Sequence, residues 1–265
     1  MPETIRSLAR GLEVLRHLER HWEGQTLRQL KGALEIPKPS LLRILETLRE
    51  QGFVHHETPG GLWHCSVQRR AAPTALSPWI AEVREAAARI LPDLCREISW
   101  PSDVSLYQSG MMEIVATSRH LTPIHAFYIQ PGFRVNVLPT AMGRTWLAFC
   151  SDQERAAILA DLRHSRDAND AVPRRDELDT LLKRVRSLGY GDRASHLAIP
   201  AGSYSRLDKA CALPVMTPSG IVACVSVTFS SEAVSQTTFE TELRPILTSH
   251  IRTMERRLNS ERASA

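Results

Sequence analysis

Two sets of residues in this 265-residue chain have the types and spacing to do chemistry. The first lies in "PKPSLLRILETLREQG", where Lys38, Ser40 and Arg43 fall near the start of a helical pattern, on the side away from its apolar stripe. A guanidinium there can pair bidentately with a guanine edge, while lysine, serine and the first-turn amides can hold phosphate. The second set joins "LPTAMGRTW" to "IVACVSVTF". Thr140 stands as an N-cap, leaving the amides of Ala141, Met142 and Gly143 to attract an anion. In the second segment, strict alternation puts Val222, Cys224, Ser226 and Thr228 on one face, small and polar enough for the floor of a pocket. The chain has no GxSxG, glycine-rich phosphate loop or HExxH motif, so the sequence gives no support for an enzyme. His55, His56, His64 and Cys65 cluster, but their spacing fits no structural zinc site; they read as residues facing solvent or phosphate. A regulator responding to redox state or metal through Cys and His is the alternative reading, and no cofactor or metal is expected.

The first set needs a frame. Ile5, Leu8, Leu12 and Leu15 form an apolar stripe that predicts a helix to about His21, with Arg6, Arg10, Arg16 and Arg20 off it. Thr26 and Gln29 have capping-box spacing, which starts a second helix at Thr26 or Leu27. Pro37 ends it, and Pro39 suits the first turn of a third helix from about Lys38 to Gln51. Leu41, Ile44, Leu45 and Leu48 form its buried side, and Gly52 is placed for a left-handed cap. "FVHHETPGGLWHC" then reads as a hairpin. Three helices and a hairpin in this order make a winged helix-turn-helix over residues 1–66, whose third helix enters a DNA major groove. Arg43 is the expected base reader. Arg6, Arg10, Thr26, Lys38, Ser40, Leu42 and His55 complete the expected DNA-facing set.

Residues 67–78, "VQRRAAPTALSP", read as a linker. Residues 79–265 form a second module with a helix from Trp79 to Ile98 that contains Pro92. Two strand pairs follow, 103–108 with 112–118 and 212–216 with 221–230. Helical patterns cover 141–150, 151–163, 174–188 and 239–259. An antiparallel sheet flanked by helices accommodates them, so the whole chain is of the α+β class. In the last strand Ile221, Ala223, Val225, Val227 and Phe229 form the core face. Leu243, Leu247, Ile251, Met254 and Leu258 line the last helix. For a small acid, Arg119 or His125 supplies the counter-charge, and Phe127, Tyr128 and Trp146 supply stacking surface.

Composition limits these readings only loosely. The chain is 43% apolar and 23% charged, with net charge +4, which permits an anionic partner without demanding one. Five scattered cysteines, with no CxxC pair, imply reduced thiols rather than a disulfide framework. No apolar run approaches the ~20 residues of a membrane span, and the amino terminus lacks a signal-peptide core, so a cytoplasmic location is expected.

"IRSLARGLEVLRHL", "TLRQLKGALEIPKPSLLRILETLREQGFV" and "VLPTAMGRTWLAF" resemble the IclR family of bacterial transcriptional regulators. Within it, "WPSDVSLYQSGMMEIVATSRH" and "GRTWLAFC" look most like the activators of hydroxyphenylpropionate catabolism. The resemblance implies a GAF-like effector-binding and oligomerisation domain whose ligand site corresponds here to Ala141, Met142, Ser226 and Thr228. It also implies a double-stranded operator, a small organic-acid effector of the aromatic class and a homodimer or homotetramer. RNA polymerase is a further partner if the protein activates. Arg134 is similar to a residue common in the family before the effector helix, and it reads as structural. Two departures stand out: Glu35, where the family has a turn glycine, and Leu42, where polar residues are common. A left-handed Glu35 would cost on the order of 1 kcal/mol.

Overall fold

The computed structural model describes residues 5–21, 24–51, 53–57, 61–65, 77–122, 124, 129, 131–165, 171–194 and 207–263. The chain divides into two compact units, one built from Met1–Ala72 and the other from Pro73–Leu197 and Arg206–Ala265. The expected cap Gly52 and most of the expected linker lie outside the described residues.

The first unit contains α1 (Arg6–Arg20), β1 (Gln25–Thr26), α2 (Leu27–Ala33), α3 (Lys38–Glu50), β2 (Val54–Glu57) and β3 (Leu62–Cys65). Its core is Val14, Leu18, Leu30, Leu34, Ile36, Leu41, Leu45, Val54, Trp63 and Cys65. Thr26 accepts from the Gln29 amide and Gln29 reaches back to the Thr26 amide, so the capping box is complete. Pro37 is the N-cap of α3 and Pro39 lies in its first turn, as proline's missing amide requires.

Three expectations are corrected here. Ile5, Leu8 and Leu12 are 65%, 57% and 43% exposed. The helix instead buries Val14, His17 and Leu18, a stripe rotated from the predicted one. The turn between α2 and α3 needs no left-handed residue: Leu34 is extended at φ −113°, and Glu35 is not among the residues of positive φ. Finally, the hairpin is a three-stranded sheet of order β1-β3-β2, with Gln25 opposite Trp63. That third strand covers β3, and His64 is consequently only 1% exposed rather than facing solvent. Gly24, at φ +85°, permits this arrangement, because a Cβ there would lie 2.3 Å from the His64 ring.

The second unit is a six-stranded antiparallel sheet of order β6-β5-β4-β9-β8-β7. Its strands are β4 (Ser102–Gln108), β5 (Met111–Thr117), β6 (Phe133–Val135), β7 (Gly191–Asp192), β8 (Lys209–Thr217) and β9 (Gly220–Phe229). The short β6 and β7 edges carry too few residues to show a period and were not legible in sequence. Ser109 and Gly110, both of positive φ, make the β4–β5 turn. Arg134 holds that turn through the carbonyls of Gln108 and Ser109, at 2.5 and 2.9 Å, a structural role.

The helices of this unit are α4 (Pro78–Ile98), α5 (Ala141–Phe149), α6 (Asp152–His164), α7 (Arg175–Leu188), α8 (Gln236–Thr238) and α9 (Arg244–Ala263). Pro92 lies inside α4, as expected. Helices α4 and α9 pack together and against the sheet, while α5 packs on β7, β8 and β9. Leu243, Leu247, Ile251, Met254 and Leu258 are all buried. The residues before α9, Phe239–Leu243, form a π-helix that the apolar period alone did not distinguish from an α-helix. Its Phe239 is fully buried and stacks on Phe229 at 5.6 Å, which places the odd-numbered face of β9 toward the carboxy-terminal helix.

Candidate functional site

In the first unit, the residues expected at DNA sit around the start of α3. Lys38 and Arg43 are exposed, and Ser40 and Leu42 are half-buried. Arg43 makes no side-chain hydrogen bond or ion pair among the described residues, whereas Arg49, six residues later, is paired with Glu46 at 2.6 Å. A guanidinium left uncommitted at a helix start is available to a base edge or a phosphate. Arg6 is exposed and Arg10 half-buried on α1. Thr26 is different: its hydroxyl donates to Gln29 Oε1 at 2.7 Å and accepts from the Gln29 amide at 3.2 Å, so helix capping already engages it. His55 pairs with His64 across the wing by backbone register, and its side chain lies outside the described set. The His56 ring stacks on Trp63, with centroids 4.3 Å apart.

In the second unit the even-numbered residues of β9 face α5. Cys224 donates its thiol to the Met142 carbonyl at 3.4 Å, which fixes the side on which Cys224, Ser226 and Thr228 lie. Thr140 caps α5 by accepting from the Gly143 amide at 3.2 Å, leaving the Ala141 and Met142 amides without intrahelical acceptors. The helix start is held close to the sheet. A Cβ on Gly143 would sit 2.0 Å from the Val137 carbonyl, and one on Gly191 2.7 Å from the Ala141 carbonyl. Thr145 locks the contact from the other side, donating to the Ala212 carbonyl at 2.8 Å and accepting from the Gly191 amide at 2.9 Å. Thr140, Ala141, Met142, Cys224, Ser226 and Thr228 are thus brought to one side of the sheet.

The same face carries charge that was not foreseen. Asp103 stands directly opposite Ser226 and Thr117 in register. Asp103 is 1% exposed, and it receives Arg119 Nη2 at 2.7 Å, Arg119 Nε at 3.0 and 3.2 Å, and the Thr117 hydroxyl at 2.7 Å. Ser226 donates to the Asp103 carbonyl at 3.3 Å, and Arg119 reaches Thr228 Oγ1 at 3.4 Å. Arg119, expected as the counter-charge for an acid, therefore has its guanidinium committed to a buried carboxylate. His125, Phe127 and Tyr128 lie outside the described residues. Trp146 is 6% exposed, donates to Glu154 at 2.9 Å and lies 6.2 Å from the Tyr107 ring. Asp103 lies on β4 and Arg119, sixteen residues later, in the turn after β5, and no local spacing rule could have joined them.

All five cysteines are free and buried. Burial pushes the Cys150 thiol up to about 11 and the Cys211 thiol to about 12, and it raises Cys224 further still. Thiols held protonated in this way are poor nucleophiles at neutral pH. Among the described residues no cluster of three His, Cys, Asp or Glu could hold a metal ion, and no helix is long and apolar enough to cross a membrane.

Residues 7–58 match the IclR helix-turn-helix domain. The chain is 24% identical over 257 residues to the Pca regulon regulatory protein of Pseudomonas putida, covering 93% of this chain and 81% of that one. A transcriptional regulator of Rhodococcus sp. RHA1 superposes over 96% of this chain and 98% of its own, with TM-score 0.57 and 25% identity. An IclR homologue of Microbacterium hydrocarbonoxydans, solved with 4-hydroxybenzoate, covers 95% of this chain and 98% of its own with TM-score 0.52 and 16% identity. Residues 7–58 are thus a helix-turn-helix domain of the IclR type, and over most of its length the chain is similar to transcriptional regulators.

Proposed function

We propose that the unit formed by residues 1–66 reads an operator through α3, and that residues 79–265 bind a small organic acid, most suitably an aromatic one, with residues 67–78 as the link. The observation that carries the ligand reading is the convergence, on one sheet face, of the uncapped Ala141 and Met142 amides with Cys224, Ser226 and Thr228. Such a face combines apolar surface with a few directed polar groups, the usual make-up of a small-molecule site. Two similar proteins, one a Pca regulon regulator and one bound to 4-hydroxybenzoate, favour the aromatic class.

On DNA, Arg43 is assigned the base contact and Lys38, Ser40, Arg6 and Arg10 the backbone contacts, with Leu42 against a thymine methyl. The protein acts as a homodimer or a multiple of one, because a single winged helix reads only half of a two-fold operator. The exposed Ile5, Leu8 and Leu12 on α1 supply an apolar surface for that pairing. Ligand regulates by binding one arrangement of the DNA-reading units more tightly than another.

The test is thermal unfolding of the full-length protein against hydroxybenzoates, hydroxycinnamates, hydroxyphenylpropionates, glyoxylate and pyruvate. A ligand at 100 times its Kd adds about 2.7 kcal/mol to the unit that binds it, a shift easily seen. Stabilisation confined to the aromatic acids supports the proposal. Stabilisation only by the two-carbon and three-carbon acids overturns its aromatic part, and no response to any acid removes the effector reading.

A further inference from the structure

One cation beside this face has no assigned purpose. The Arg193 amide donates to the Ala210 carbonyl at 3.1 Å, which carries the β7–β8 ladder one step beyond Asp192. Gly191 stands opposite Ala212, so Arg193 stands opposite Ala210, which in turn faces Thr228. Directly opposed residues of an antiparallel ladder share a face. Arg193 therefore belongs to the row of Thr228, on the side that also holds Ser226 and Asp103. The chain on both sides of it is fastened to the entry of α5: Gly191 lies under the Ala141 carbonyl, and the Ala194 amide donates to the Pro139 carbonyl at 2.9 Å. Its backbone is thus fixed next to the uncapped amides of Ala141 and Met142.

Among the described residues no hydrogen bond or ion pair reaches the Arg193 guanidinium, although the side chain is only partly exposed. Its charged neighbours are Arg119, Asp208 and Asp103. Both carboxylates are already engaged, Asp103 by Arg119 and Thr117, and Asp208 by the amide and hydroxyl of Ser231 at 2.7 and 2.5 Å. Burial first, and the like charge of Arg119 second, hold the Arg193 pKa below that of a free guanidinium. A cation in this position is destabilised in the free protein, and an anion delivered to the same place would offset both effects.

A second group on this face also lacks a partner. Ser105 is fully buried, stands opposite Cys224 on the α5 side of the sheet, and its hydroxyl has no hydrogen bond among the described residues. A buried hydroxyl left unsatisfied carries a desolvation cost that a polar substituent on a ligand would remove.

We propose that Arg193 is the residue that binds the effector's carboxylate, with the Ala141 and Met142 amides beside it, and that Ser105 bonds a polar group at the ligand's other end. This assignment rests on the reading of the second unit as an effector-binding domain. It replaces Arg119 as the counter-charge: Arg119 and Asp103 neutralise each other, and Arg193 supplies the positive charge left over.

The experiment is calorimetric titration of the full-length protein with 4-hydroxybenzoate, 3-(4-hydroxyphenyl)propionate and pyruvate, each against its neutral amide, together with R193Q and R193K. Wild type should prefer acid over amide by about tenfold or more, the scale of a hydrogen bond to a charged group. R193Q should bind acid and amide alike, and R193K should keep most of the preference. Without ligand, R193Q should unfold at a temperature no lower than wild type, since no partner among the described residues is lost. That measurement separates loss of the contact from loss of the fold. If wild type binds acids and R193Q still prefers them to amides, the assignment to Arg193 is wrong while the effector reading stands. If wild type binds none of the acids, both fall.

Discussion

The two units use polar residues in opposite ways. In the first, the side chains with most to offer a partner, Lys38 and Arg43, project from α3 and are exposed. In the second, they are turned inward and bonded to one another: Asp103 with Arg119 and Thr117, Ser226 with the Asp103 carbonyl, Thr145 with two neighbouring strands. DNA is a large charged surface that long, solvated side chains can meet, so that interface needs little prior organisation. A small acid must be enclosed, and the groups around it must be fixed before it arrives. The same difference makes one region tolerant of substitution and the other not.

Asp103→Ala should show the largest effect. It strands the Arg119 guanidinium, 8% exposed, without its carboxylate, and loss of one partner of such a pair costs about 3–5 kcal/mol. Chemical denaturation should find the second unit weakened by that amount, and a loss under about 1 kcal/mol would mean that the pair is not buried in solution. Next comes Gly143→Ala, whose Cβ meets backbone atoms of Val137 that cannot swing aside. Overpacking of this kind costs about 1–3 kcal/mol, and here it should also displace the start of α5 and lower acid affinity. An unchanged affinity would show that α5 does not form part of the ligand site.

Arg43→Ala probes the other side of the comparison. The fold should be untouched, while the preference for operator over scrambled DNA falls by about 1–3 kcal/mol, read in a binding titration at fixed salt. Undiminished discrimination would remove Arg43 as the base reader. Thr26→Ala should cost only about 1 kcal/mol of stability in the first unit through loss of the capping box. If operator affinity drops by more than the loss of folded protein explains, Thr26 also touches DNA. Thiol labelling gives the smallest signal: at pH 7 the native protein should react negligibly with iodoacetamide at Cys150 and Cys211, with pKa values raised to about 11 and 12. Rapid labelling would reopen the redox reading.

Much of this was legible from residue order alone. The capping box at Thr26 and Gln29, the break at Pro37, and the cap at Thr140 each depend on partners within four residues, and all three appear as expected. The alternation in β9 likewise separated a core face from a face of small polar residues. Where periodicity misled, a neighbour distant in sequence decided the matter. Helix α1 turned Ile5, Leu8 and Leu12 outward, because its own unit packs against Val14 and Leu18 instead. His64 disappeared beneath a third strand too short to show a pattern.

Sequence by itself therefore determined the helix caps and breaks and the strand faces, since local hydrogen bonding and side-chain period are written in neighbouring residues, and its family resemblance indicated the class of regulator. Only the tertiary structure decided which charges cancel. Arg119 and Arg193 look equivalent on paper. The β4–β5 hairpin gives Arg119 the Asp103 carboxylate, while the β7–β8 ladder sets Arg193 in the same row with no carboxylate bonded to it among the described residues, because strand register places each charge beside its neighbours.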